Sequence, residues 1–215
     1  MLNRKTITIV SLFVFLVFAS SSCSPNLDAP APVGPNPPGS SQNSGSENKI
    51  AIKSIDGKLV AEIGSDGQIE FIGKKLTSKR KSSEKVKYSI DGNEIAEVKA
   101  KDTDGFKVRD LNGNLLWKVK ITSEKIKISD NEENANPYEI KKTYDGAKIK
   151  RNDEKLGEFK FDSKNEKVKI KDASENVLFE SRTSKQSAAF GVLLLVDIPE
   201  ELRFVIMSEL FSRNL

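Results

Sequence analysis

The chain has 215 residues, 37% of them apolar and 31% charged, with a formal net charge of +4. It contains no histidine and a single cysteine. That composition excludes Ser-His-Asp triads, Cys-His dyads, H-E-x-x-H zinc sites and any intrachain disulfide. No basic patch interleaved with aromatic residues stands out, so nucleic acid is not an expected partner.

The N-terminus reads MLNRKTITIVSLFVFLVFASSSC. Arg4 and Lys5 precede an apolar run from Ile7 to Ala19, and three serines lead to Cys23. Such a run is short for a spanning helix and suits the core of a signal peptide. Small residues directly before the sole cysteine resemble a bacterial lipoprotein signal, with one departure at Ser20, where Leu is more usual. The resemblance implies cleavage before Cys23 and lipidation of Cys23, the one site residue expected here. Losing Arg4 and Lys5 with the signal would lower the net charge from +4 to +2.

Residues 23–48 hold six of the eight prolines, among Ser, Asn and Gly. This segment cannot bury enough apolar surface to offset its ordering entropy. It predicts a tether, extended in its Pro-rich half at roughly 3 Å per residue and flexible in its Ser/Gly half. Residues 49–215 then form a single β-rich domain.

From Ile50 to Ser181 apolar residues alternate with Lys, Glu and Arg, as in Val86, Tyr88, Ile90 and in Leu115, Trp117, Val119, Ile121. That period marks strands with one wet face. Asp56-Gly57, Asp66-Gly67, Asp91-Gly92, Asp104-Gly105, Asn112-Gly113 and Asp145-Gly146 separate the runs and favour tight hairpins. About twelve short antiparallel strands follow. Self-similarity pairs EIAEVKAK with KLGEFKFD and KVRDLNGNLLWK with KIKDASENVLFE.

Little of this region suggests chemistry. Gly67, Gly73, Lys74 and Lys75 approach a phosphate loop, but the glycines are too far apart and Lys75 replaces Ser or Thr. Asp102, Asp104, Asp110, Asn112 and Asn114 echo calcium loops without the full ligand set, and hairpin turns explain them. Asp130-Asn-Glu-Glu-Asn134 reads as a solvated loop, and Trp117 as a core residue. No catalytic residue, metal ligand or cofactor is expected.

Residues 187–211, SAAFGVLLLVDIPEELRFVIMSELF, are the most apolar stretch of the domain. A membrane span would place Asp197, Glu200, Glu201 and Arg203 at mid-bilayer, at about 2.5–3.5 kcal/mol each. Sixteen apolar residues return roughly 0.3–0.6 kcal/mol apiece, so insertion loses. Two helices are expected instead, over 187–196 and 198–212, with Asp197 capping the second. Leu202, Val205, Ile206 and Leu210 would line one face of the second. The first is apolar at nearly every position, so it must be surrounded, and Leu194 should be among the most buried residues.

Many strands with one apolar face around one apolar helix point to a closed or nearly closed barrel enclosing that helix. The alternative is an open β-sandwich or β-meander capped by a helical hairpin. The strand series of 50–181 followed by SAAFGVLLLVD is similar to the tubby-like fold, including its LURP-one-related and phospholipid-scramblase branches. That resemblance implies association with phosphoinositides, membranes or lipid movement, though no lipid-binding residue carries over.

The expected protein is therefore a non-enzymatic, lipid-anchored component of the bacterial cell envelope, facing outside the cytoplasm and acting by binding or as structure. Its partners would be the membrane, through the N-terminal lipid, and an envelope protein or lipid. A tubby-like lipid-handling module and a His-free carboxylate hydrolase are the alternatives.

Overall fold

A computed structural model describes residues 49–65, 67–100 and 104–215. Cys23, the signal and the tether lie outside the described residues, as do Asp66 and Asp102. Fourteen strands run in chain order. They are β1 (Ile50–Ser54), β2 (Leu59–Ile63), β3 (Ile69–Phe71), β4 (Lys74–Arg80), β5 (Lys85–Ile90), β6 (Asn93–Ala100) and β7 (Gly105–Arg109). The series continues through β8 (Leu115–Ile121), β9 (Lys125–Ser129), β10 (Tyr138–Thr143), β11 (Gly146–Arg151), β12 (Glu154–Asp162), β13 (Lys167–Asp172) and β14 (Val177–Arg182). Each pairs antiparallel with its neighbours in sequence, and β14 returns to β1, so the sheet is a closed up-and-down barrel.

Closure follows from the alternation. Ile140 faces Ile149 and Phe159 faces Ile170 on the inner surface, while Lys141 faces Lys148 and Lys160 faces Lys169 outside. A sheet with one apolar face must cover it, and closing the ring also removes the exposed edges. The alternation predicts about two strands fewer than form. The three-residue β3, Ile-Glu-Phe, is too short to register as a period.

The barrel is filled by the chain's own end. A 3-10 helix (Ala188–Leu194) and the α-helix α1 (Glu200–Ser212) pass through it in opposite directions. Every residue of the 3-10 helix is buried, as are seven consecutive residues of α1 from Phe204 to Leu210. Ring contacts tie the plug to the wall, with Phe71 to Phe204 at 4.4 Å and Phe159 to Phe190 at 6.1 Å. All strand pairings, the plug and the described core lie within 49–215, so this segment contains what it needs to fold.

Several expectations are corrected. The first plug element is a 3-10 helix, shorter than 187–196, and α1 begins at Glu200 rather than 198. Asp197 does not cap α1; Pro199 occupies that position without a side-chain hydrogen bond. Nor is α1 one-sided, because the barrel surrounds both plug elements and leaves no wet face for an apolar stripe to oppose. Leu194 is buried at 6% exposure, yet Phe190, Val192 and Leu195 are at 0%. Gly157 explains its position: a Cβ there would stand 2.8 Å from Leu194 Cδ1 and 2.1 Å from the Lys171 carbonyl oxygen.

Two of the anticipated turn glycines belong to strands. Gly105 opens β7 and Gly146 opens β11, each where a Cβ would stand 2.0 Å from a carbonyl oxygen of the next strand, Val119 and Phe159 respectively. Close backbone approach, rather than turn geometry, requires glycine at both. The self-similar segments also correspond in space. Bulges fall between Val108 and Arg109 and between Ile170 and Lys171. Asp110 accepts hydrogen bonds from the Asn112 and Asn114 amides, as Asp172 does from those of Ser174 and Asn176.

Candidate functional site

With the lumen occupied, the described residues offer three places for function: the polar groups inside the barrel, its two ends, and its outer wall. The ends are distinguished by topology. Lys49, the C-terminus and the β2–β3, β4–β5 and β12–β13 turns lie at one end, termed proximal. The β1–β2, β7–β8 and β9–β10 turns and residues 195–199 lie at the other, termed distal.

Inside, the Tyr88 hydroxyl donates to Glu209 Oε1 at 2.9 Å and lies 3.3 Å from Ser208 Oγ. Arg213 Nε stands 3.5 Å from Glu209 Oε2, and the Arg213 guanidinium lies 5.1 Å from the Phe106 ring centroid. Burial, together with the Glu209 charge, pushes the Tyr88 phenol far above its ordinary range. These groups engage one another between wall and plug, with Arg213 Nε paired to Glu209 by charge and not by a hydrogen bond. Their chemistry is that of an anchor for α1.

At the distal end, Asp197 Oδ2 accepts from the Tyr138 hydroxyl at 2.6 Å and from Arg151 at 3.0 Å. The guanidinium lies 4.4 Å from the Tyr138 ring centroid, and half-buried Trp117 packs 6.3 Å from the same ring. Partial burial and the Asp197 hydrogen bond push Tyr138 up to about 12. The cluster pins the loop between the plug helices to β10 and β11. Two other charges of the apolar C-terminal stretch, Glu201 and Arg203, also find partners. Glu201 pairs with Lys74 at 2.9 Å, and Arg203 donates to the Leu193 carbonyl at 3.1 Å.

The residues examined for chemistry resolve into structural roles. Gly73 sits in the β3–β4 turn, and Lys74 is engaged by Glu201. The Asp110 carboxylate is occupied by Asn112 and Asn114 and held below its ordinary range, first by the Asn114 side-chain hydrogen bond. Residues 130–134 are not simply a solvated loop. Glu132 folds onto the wall, with Lys107 at 2.7 Å and Arg109 and Lys118 each at 3.7 Å. Among the described residues no three carboxylates gather as a metal site. No described helix is long and apolar enough to cross a membrane.

Ion pairs of this kind set the acid response. Lys74 holds Glu201 below its ordinary value of 4.5, and Lys74 is itself raised above 10.5. The Glu201 contribution is present above the ordinary carboxylate range and is lost as pH falls through its lowered pKa; the Lys74 contribution is lost only as pH rises past 10.5. With no histidine to titrate between, the urea midpoint of residues 43–215 is expected to be flat from about pH 6 to about 9 and to fall below about pH 4. A midpoint that changes through pH 6–7 would contradict this assignment.

Parts of the outer wall are a lattice of paired charges, as where Glu139 meets Lys125 at 3.3 Å and Lys127 at 3.1 Å. The closing seam departs from it. Pairing between β1 and β14 covers only Ile52–Ser54 and stops short of Ala51 and Arg182. A hollow of about 410 Å³ opens beside this seam, bordered by Lys49, Lys53, Ile55, Lys167, Glu180 and Arg182. A second hollow shares Lys49 and Arg182 and adds Glu166 and Lys185. This site could not be found from sequence, because its residues come from the two ends of the strand series.

No family model, curated protein or solved structure matches this chain significantly.

Proposed function

We propose that this protein is a lipid-anchored component of the bacterial cell envelope, acting by binding at its outer surface and not by catalysis. The observation that carries this reading is the occupied lumen. Phe190, Val192, Leu195, Phe204 and Ile206 of the chain itself fill the space that a hollow barrel would offer a ligand. The most buried carboxylates are likewise committed: Glu209 to Tyr88 and Arg213, and Glu158 to Lys155 and Lys160. The signal-like N-terminus and Pro/Ser/Gly-rich residues 23–48 support display outside the cytoplasm on a tether. A buried C-terminal helix inside a barrel also favours, as a second reading, a lipid-handling module of the tubby-like kind.

The first reading is tested at Cys23. In a bacterial host, Cys23→Ala is expected to accumulate as a full-length precursor that incorporates no labelled palmitate. Processing and labelling equal to those of the wild-type chain would dismiss it.

A further inference from the structure

The seam face brings unpaired cations together around two hollows. Lys49, Lys53, Arg182 and Lys185 surround the two hollows, and none forms an ion pair among the described residues. Of the acids there, Glu180 is already neutralised by Lys167 at 2.6 Å, leaving Glu166 and, in the adjoining β1–β2 turn, Asp56 as counter-charges to the four cations. Elsewhere many wall lysines have carboxylate partners, as Lys87, Lys107, Lys127 and Lys160 do, whereas Lys120, Lys141 and Lys148 form no ion pair among the described residues and border neither of these hollows. Unpaired cations converging on a hollow form a field that attracts anions.

Apolar groups accompany the charge. Ile55 borders the first hollow at 64% exposure, and Leu59, the cross-strand partner of Lys53, is 48% exposed. Ala51 forms part of the lining. Cations flanking exposed aliphatic side chains match a bilayer interface, where phosphates meet the upper acyl chains.

The chain's path favours the same occupant. Residues 1–48 join the domain at Lys49, which lines both hollows. An anchor at Cys23 would leave 26 positions to Lys49, enough at roughly 3 Å per residue for the face beside the junction to lie on the membrane. We propose that the seam of the barrel, at β14, β1 and the start of β2, is a docking face for an anionic phospholipid bilayer. Lys49, Lys53, Arg182 and Lys185 meet headgroup phosphates, with Ile55 and Leu59 beneath them. Each exposed cation contributes on the order of five-fold to partitioning onto an anionic surface at low salt.

The test is independent of lipidation, because residues 43–215 lack Cys23 and contain the whole barrel and plug. Their sedimentation would be measured with phosphatidylcholine vesicles, alone or with a third phosphatidylglycerol, at 0.1 M and 0.5 M NaCl. Binding is expected only to the anionic vesicles and mainly at the lower salt. Lys49→Gln/Lys53→Gln/Arg182→Gln should weaken it on the order of 100-fold. Lys120→Gln/Lys141→Gln/Lys148→Gln removes the same charge from exposed positions across the barrel and should change it less than about five-fold. Matching urea midpoints would show that both variants remain folded. Equal losses in the two variants, equal binding to neutral vesicles, or no binding to anionic ones would each overturn the proposal. A failure of Cys23 lipidation would leave this result unaffected.

Discussion

Truncation after Arg182 is expected to leave a chain that cannot fold, although all fourteen strands remain. The lost segment carries Phe190, Val192, Leu195, Val205, Ile206, Met207 and Leu210, each at 0% exposure, with Phe204 at 1%. Full burial of such side chains stabilises by about 1.5–3 kcal/mol each, and together that exceeds the roughly 5–15 kcal/mol of net stability a domain retains. The strands would keep their apolar faces with nothing between them, and collapse or aggregation follows. Far-UV circular dichroism and dye binding would read this directly. Phe190→Ala offers a graded version, with an expected cost of about 3–5 kcal/mol in urea unfolding. A truncated chain with a wild-type unfolding transition would show that the barrel does not depend on its plug.

The second large effect lies at the buried polar contact between wall and plug. Glu209→Ala is expected to destabilise by about 3–5 kcal/mol, because it strands the Arg213 charge and the Tyr88 hydroxyl in an apolar setting. Tyr88→Phe should cost only about 1 kcal/mol, since Arg213 remains beside Glu209 and Ser208 keeps the Gly67 carbonyl. Combining Glu209→Ala with Arg213→Ala should cost less than the sum of the single changes, because the second removes the charge that the first abandons. Strict additivity in urea unfolding would mean that the two side chains do not act as a unit. The contact also fixes which way α1 turns about its axis. An all-round apolar helix has no other feature to choose between rotations, and a single polar pair supplies one.

The barrel was readable because its signals are local. Alternation over five to nine residues, as in Leu115–Ile121 and Glu154–Asp162, and Gly-containing turns such as Asp56-Gly57 depend only on neighbours in the chain. The same locality explains the strand that was missed, since Ile69–Phe71 spans three residues and no period can show in so few. The role of Asp197 was not readable. Asp before Pro and Glu is a sound helix start by sequence, but Tyr138 and Arg151 compete for the carboxylate and hold it at 2.6 and 3.0 Å. Those partners lie 59 and 46 residues away, and no spacing rule reaches them. The seam is a stronger case, because Lys49 and Arg182 become neighbours only when the ring closes.

The sequence by itself determined the fold class and the fate of the C-terminal segment. Inward side chains of the strands are mostly apolar and outward ones mostly polar, and four central charges forbid residues 187–211 from leaving the protein for a bilayer. Tertiary structure alone decided how those charges are satisfied and where unpaired cations gather. Hydrophobic period is a property of the strand, carried in every few residues, whereas an ion pair or a charged hollow is a property of register and closure. Both of those are set by the whole ring at once.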